Sequence, residues 1–127
     1  MKLIAAHAHS TAPEGQNVLE LANDADPRDV SLAGIDRIDL HFPKFTDGRA
    51  FSQAFLLRRR LGFAGEIRAT GDVLVDQLQQ MARSGFTAAV LRDDQDLAIA
   101  ERQLARYAAF YQGDAVQPRP YFTRGAA

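Results

Sequence analysis

The segment HFPKFTDGRAF (41–51) concentrates polar side chains between a strand-like stretch and a helix-like stretch. An Asp-Gly pair can make the turn by itself, which leaves Lys44 and Arg49 available for another purpose. A lysine supplies positive charge and an arginine supplies a fork of donors, and both suit a small anion. The segment therefore predicts a ligand site. Its predicted binding residues are Lys44, Thr46, Arg49 and Ser52.

Two later segments combine arginine with aspartate in a similar way. Arg68 precedes Asp72 in EIRATGD, and Arg92 precedes Asp94 and Gln95 in LRDDQD. Each segment leads into a predicted helix, whose first N–H groups and dipole also favour an anion. We expect the three segments to meet at the carboxyl ends of parallel strands and to share one hollow. The residues that this adds to the ligand site are Arg68, Arg92, Asp94 and Gln95.

The same residues have a purely structural interpretation. Aspartate is a preferred helix N-cap, so Asp72, Asp93 and Asp94 could each cap a helix. Arg68 and Arg92 could form ion pairs with those carboxylates. The run Arg58-Arg59-Arg60 is typical of the solvated side of a helix.

Asp47 and Asp72 are the candidate catalytic residues, as general acid or base on a bound anionic substrate. A carboxylate beside an arginine usually has a lowered pKa. The lowered pKa favours a positioning role over proton transfer unless the site excludes water.

The histidines of HAH, His7 and His9, raise the possibility of a metal site. HxH at a strand end resembles the opening motif of amidohydrolases and related metal-dependent phosphoesterases. Such sites need further ligands from later strands, and His41 is the one other histidine in the chain. We therefore predict no metal here.

Composition indicates an ordinary globular protein. The chain has 127 residues, 46% hydrophobic and 24% charged, with a net charge of −1. This balance does not predict a nucleic-acid or membrane partner, and no apolar run approaches the roughly 18 residues of a membrane span. The absence of cysteine excludes disulfides and thiolate chemistry. No signal peptide is recognisable, so the expected compartment is the cytoplasm.

Hydrophobic periodicity predicts alternating strands and helices. The predicted strands are 17–23, 37–42, 66–70 and 87–92; the predicted helices run from about Arg49 to Leu61, from Asp72 to a stop at Gly85, and from about Gln95 to Tyr111. Strands separated by helices imply a parallel sheet, so the class is α/β. Three to four βα units could form a half-barrel-like sheet or a small doubly wound one.

We assign one α/β domain to residues 17–113. Residues 1–16 are an N-terminal segment of uncertain structure, and 114–127 form an extended or disordered tail with two prolines. A half-barrel would leave an open sheet edge, which a homodimer could cover.

Several multi-residue blocks stand in a fixed order: FPKFTDGR followed by Phe and Ser, then GFAGEIRATGDVL with DQ after it, and a later R-x-DQ. Together they resemble the bacterial domain-of-unknown-function family 934. That family is described as oxidoreductases with a role in sulfite reduction. The resemblance implies a part in assimilatory sulfite reduction, with sulfite reductase or a related sulfur-assimilation enzyme as partner.

Three functions follow as expectations. The first is an accessory protein that binds a small anion, or an anionic group of a partner's cofactor, at the strand ends. The second is an independent enzyme with an Asp as acid or base, and the third is a non-catalytic module that docks on a reductase. No nicotinamide or flavin motif is present, so the cofactor is left open and a redox cofactor is expected on the partner.

Overall fold

The computed structural model describes residues 1–11 and 13–108 of the chain. Five parallel strands form one sheet: β1 (Lys2–Ala5), β2 (Val18–Leu21), β3 (Arg37–Phe42), β4 (Glu66–Gly71) and β5 (Ala88–Leu91). The strand order is β1-β5-β4-β3-β2. Because β2 to β5 lie side by side in chain order, successive crossovers run in one direction and return over one face of the sheet. The predicted α/β class, a parallel sheet built of βα units, is confirmed.

Three helices follow the last three strands. They are α1 (Arg49–Phe55), which continues as a π-helical turn over Leu56–Arg60; α2 (Leu78–Ser84), preceded by the 3-10 turn Val75–Gln77; and α3 (Leu97–Ala108). The connection between β2 and β3 contains only the 3-10 turn Pro27–Asp29. No described helix combines the length and the apolar character needed to cross a membrane.

The two glycine stops within the described chain are confirmed. Gly62 has φ +69° and Gly85, which caps α2, has φ +115°, both in the left-handed region where glycine is favoured. Phe63 folds back into the core, as expected of the residue after a helix-ending glycine. The predicted end of the third helix, at Tyr111 and Gly113, and the tail 114–127 lie outside the described residues.

The predicted start of α2 at Asp72 is wrong, and the predicted start of α3 near Gln95 is two residues early. Asp72 does not begin α2, which starts at Leu78; its carboxylate instead accepts hydrogen bonds from the Phe45 N–H and from Arg92. The cap of α3 is Asp96, whose Oδ1 accepts the N–H groups of Ala98 and Ile99 at 2.9 and 3.1 Å. Asp93 and Asp94 therefore precede the cap. An aspartate-rich turn predicted a helix start but did not indicate which carboxylate caps it.

The two faces of the sheet differ in character. Ile38, Leu40 and Phe42 of β3 are buried in the core beneath the helices, where the Phe42 ring lies 5.1 Å from that of Phe51. The alternate residues of β3 point to the opposite face, which no described helix covers. We call it the helix-free face.

Strand β1 was not predicted from the sequence, which left residues 1–16 unassigned. It pairs with β5 in the register Ile4 to Val90, and these side chains form a small apolar cluster with Ala88 on the helix-free face. The sheet therefore extends beyond the 17–113 unit.

Candidate functional site

Residues 43–48, the motif loop, are held in place by their neighbours. The Phe45 N–H donates to Asp72 Oδ2 at 2.8 Å, and the Phe45 carbonyl accepts from the Gln77 side chain. Asn23 Nδ2 donates to Asp47 Oδ2 at 2.6 Å. Three side chains, one from the β2–β3 connection and two from the β4–α2 connection, thus fix both the backbone and the carboxylate of the loop.

Asp47 and Arg49 form a two-pronged ion pair at the end of the motif loop. Arg49 Nε and Nη2 donate to the two Asp47 oxygens at 3.1 and 2.7 Å, and the Arg49 N–H donates to Oδ1 at 3.0 Å. These hydrogen bonds lower the pKa of Asp47 to about 2. Asp47 is therefore ionised at neutral pH and orders the start of α1.

Arg92 connects the ends of β4 and β5. It donates to Asp72 and, through Nε at 2.8 Å and Nη2 at 2.6 Å, to Asp94. The bonds from Arg92 lower the pKa of Asp72 and bring the pKa of Asp94 to about 2, and the two carboxylates raise the pKa of Arg92. Gln95 Oε1 accepts the Val75 N–H at 2.9 Å. These predicted site residues do come together, mainly as partners of one another.

The motif-loop side chains of Lys44, Phe45 and Thr46 lie outside this network. The Phe45 side chain is 49% exposed, and Lys44 makes no hydrogen bond or ion pair with a described residue. Thr46 and Ser52 are also exposed, and their hydroxyls have no partner in the described part of the chain. The carboxyl edge therefore presents an ordered loop that carries an aromatic ring and an ammonium group.

Arg68 is not at this edge, which corrects its predicted position. It is the third residue of β4 and is buried on the helix-free face, opposite Asp39 in the register. Its Nε donates to Glu66 at 2.8 Å and its Nη1 to His9 Nδ1 at 3.0 Å. Strand alternation sends Arg68 away from its buried neighbours Ile67 and Ala69, so the predicted single hollow does not include it.

The helix-free face carries a charged cluster that the sequence analysis missed. Arg37 and Asp39 are 2% and 3% exposed and form a fork of hydrogen bonds at 2.8 and 3.0 Å. Arg37 also donates to the Ser10 carbonyl at 2.7 Å, which ties the N-terminal segment to the sheet. The sequence signal for this cluster was the alternation of polar and apolar residues in RIDLH and EIRAT. Parallel strands that are covered by helices on both faces are apolar throughout, so the alternation indicates a sheet face that carries polar side chains.

His9 completes this cluster. Arginine can only donate, so His9 Nδ1 must accept from Arg68, and the imidazole proton lies on Nε2, which is 3.9 Å from Asp39 Oδ2. Burial lowers the pKa of His9, against the opposing effect of Asp39. His7 is exposed in the 3-10 turn Ala6–Ala8, so the pair does not share a strand face. No three His, Asp or Glu side chains of residues 1–11 and 13–108 could hold one metal ion.

A hollow of about 520 Å³ lies beside the cluster, at the carboxyl ends of β2, β3 and β4. Its lining residues are His9, Thr11, Glu20, Leu21, Ala22, Asp39, His41, Thr70 and Gly71. A hollow of about 580 Å³ at the amino ends of β2 and β3 has no ionisable side chain in its lining. The concentration of acid–base groups distinguishes the first hollow.

The comparisons with known proteins agree with the resemblance of the motif blocks. A family model described as "Bacterial protein of unknown function (DUF934)" matches residues 18–122, which is most of the chain. Neither the curated proteins nor the solved structures gave a match. The chain belongs to the DUF934 family.

Proposed function

We propose that the chain is an accessory protein of assimilatory sulfite reduction that docks on a partner enzyme through its motif loop. The sulfite-reduction context rests on the description that the resembled family carries. One observation supports docking: neighbouring side chains bond both the N–H and the carbonyl of Phe45, while its ring is half exposed beside the unpaired Lys44.

An ordered loop suits docking for an energetic reason. Binding must otherwise pay for ordering flexible segments, and a loop already fixed by Asp72 and Gln77 avoids most of that loss. Aromatic side chains that fill a pocket supply much of the binding energy in protein interfaces. A lysine beside the ring favours a partner with an acidic surface around that pocket and speeds association.

The two other expected functions receive less support from this geometry. Small-anion binding at the carboxyl edge would rest mainly on Lys44, because Arg49 and Arg92 are already paired with carboxylates. Acid–base catalysis by Asp47 or Asp72 is disfavoured, because arginine partners hold both pKa values below the ordinary value. On the docking proposal, a redox cofactor belongs to the partner.

The proposal is tested by binding to purified sulfite reductase from the same cell. We expect the double variant Lys44→Ala/Phe45→Ser to weaken binding at least about tenfold, since an aromatic anchor contributes roughly 2 kcal/mol or more. Phe55→Ser is the matched control, because Phe55 is a 46% exposed aromatic on α1. Equal affinity for wild type and the double variant, or no binding by wild type, contradicts the proposal.

Calorimetric titration with sulfite, sulfate and phosphate separates docking from the anion alternative. Docking predicts no heat that depends on Lys44. Heat that disappears in Lys44→Ala, together with no binding to the reductase, supports anion binding instead.

A further inference from the structure

We propose that the hollow on the helix-free face binds a small organic cation, of the class of primary amines that carry a second polar group. It lies at the carboxyl ends of three parallel strands, where the side chains of neighbouring strands converge. Its volume of about 520 Å³ is that of a small-molecule site. The site is separate from the motif loop, so the inference does not depend on the docking proposal.

The charges around the hollow favour a cation. Asp39 already receives both prongs of Arg37, whereas the exposed carboxylate of Glu20 makes no hydrogen bond or ion pair with a described residue. Glu20 lies beside Asp39 in the β2–β3 register. An entering ammonium group would pair with Glu20, and an entering anion would be repelled by it.

The positive groups of this face do not line the hollow. Arg37 is committed to Asp39 and the Ser10 carbonyl, and Arg68 to Glu66 and His9. Their guanidinium groups hold the cluster together beside the hollow, which leaves Glu20 as its unpaired formal charge. For this reason the occupant of this hollow is not the small anion that the sequence predicted at the strand ends.

Two imidazoles and a hydroxyl supply the second polar contact. His9 keeps its proton on Nε2, so it offers a donor there. His41 Nδ1 lies 3.4 Å from Thr70 Oγ1, which leaves Nε2 as its ring nitrogen without a described partner. A ligand with an ammonium group and a hydroxyl or second amine can therefore satisfy Glu20 and an imidazole together.

Gly71 fixes the position of the His41 ring. Its φ is +91°, and a Cβ built on it would lie 2.6 Å from His41 Cε1. Only glycine lets the ring pack this closely against the end of β4. A metal is not the expected occupant, because the described residues offer no group of three His, Asp or Glu ligands.

The probe for the test is ethanolamine, with ethylene glycol as the neutral analogue and sulfate as the anion. Titration near neutral pH, followed by amide chemical shifts, should move the signals of Glu20, Ala22, His41, Thr70 and Gly71. The Glu20→Gln variant should bind at least about tenfold more weakly, as expected for loss of a charged hydrogen bond. Glu14→Gln is the matched control, because it removes the same charge from an exposed residue outside the lining.

Four results would overturn the inference. They are no shift with ethanolamine, equal shifts with ethylene glycol, preference for sulfate, or equal weakening by Glu14→Gln and Glu20→Gln. The docking variant Lys44→Ala/Phe45→Ser should bind ethanolamine like wild type. If that variant binds ethanolamine normally but does not bind the reductase, the loss of docking is independent of the hollow.

Discussion

Arg68 donates to Nδ1 of His9 across the helix-free face at 3.0 Å. The contact joins the N-terminal segment to the middle of β4 and requires the imidazole to be neutral, since a protonated ring has no acceptor. Arg37 and Arg68 both lower the pKa of His9, in addition to the larger effect of burial, while Asp39 and Glu20 raise it. Charge on His9 therefore opposes the folded arrangement.

His9 should make the folded state less stable in mild acid. Its pKa is lower in the folded chain than the ordinary value of 6.5, so the unfolded chain binds the proton first as the pH falls. The free energy of unfolding should decline as the pH falls below about 6.5. The contribution of His9 to this decline ends once His9 is protonated in the folded chain as well. Denaturant titrations across this range measure the effect.

The matched variant is His9→Gln, which keeps an acceptor for Arg68 and cannot titrate. It should lack this component of the pH dependence, whereas His7→Gln, in the exposed turn Ala6–Ala8 just before His9, should retain it. An identical pH profile for His9→Gln and wild type would show that the Arg68 contact does not form in solution.

Removing one partner of the Arg37–Asp39 pair should be strongly destabilising. Both side chains are almost completely buried, so Asp39→Ala leaves a guanidinium without its counter-charge, and we expect a loss of about 3–5 kcal/mol. The double variant Arg37→Met/Asp39→Leu should recover much of it, because two apolar side chains leave no buried charge. Chemical denaturation of the three proteins provides the comparison.

The exposed pair of Arg28 and Asp26 is the control for this experiment. Arg28→Ala should change the free energy of unfolding far less than Asp39→Ala does, as is usual for surface pairs. A similar small loss for Asp39→Ala would mean that water reaches the cluster.

The features of the fold that depend on local sequence patterns were predicted correctly. Alternation in RIDLHF indicated β3. Gly62 and Gly85 indicated helix ends, because the residue after a helix often adopts a left-handed backbone conformation that favours glycine whatever its tertiary contacts are. Strand β1 was not predictable in this way. It has four residues, one of them buried, and its pairing with β5 is a tertiary contact between distant segments.

The ion pairs were also present in the sequence, as a two-residue spacing that was not used. Five arginines have an acidic partner two positions away: Arg28 with Asp26, Arg37 with Asp39, Arg49 with Asp47, Arg68 with Glu66, and Arg92 with Asp94. In a strand this spacing places both groups on one face, and in a turn it favours a local fork. The predicted anion site included three of these arginines, Arg49, Arg68 and Arg92, and each of them is paired with a carboxylate.

Gly71→Ala should destabilise the chain through a close contact as well as backbone strain. Its Cβ would collide with the Phe42 carbonyl oxygen and the His41 ring, at a φ of +91° that alanine rarely adopts. We expect a loss of more than about 2 kcal/mol, because strain of 1–3 kcal/mol is combined with displacement of a packed ring.

Gly34→Ala separates these two causes. Gly34 has φ +74° and open space around its Cα, so alanine there meets the strain without the collision. Gly71→Ala should therefore lower the melting temperature more than Gly34→Ala does. Equal shifts would show that both the Phe42 carbonyl and the His41 ring move aside easily.

Arg58 should be the critical residue of the Arg58-Arg59-Arg60 run, which the sequence analysis placed on a solvated helix side. It is half-buried, and its guanidinium donates to the carbonyls of Phe63, Gly65 and Gly85 at 2.7, 2.8 and 2.9 Å. It thereby joins the turn before β4 to the turn that ends α2. Arg58→Lys should lose about 1.5–3 kcal/mol, since one ammonium group cannot reach three carbonyls in this fixed geometry.

Arg60→Lys, at an exposed position of the same run, is the matched control and should fall within about 0.5 kcal/mol of wild type. Hydrogen exchange locates the effect: amides near Gly65 and Gly85 should lose protection in Arg58→Lys, whereas those of β3 should change less. Uniform loss across the sheet would mean that Arg58 supports the whole fold and not specifically these two turns.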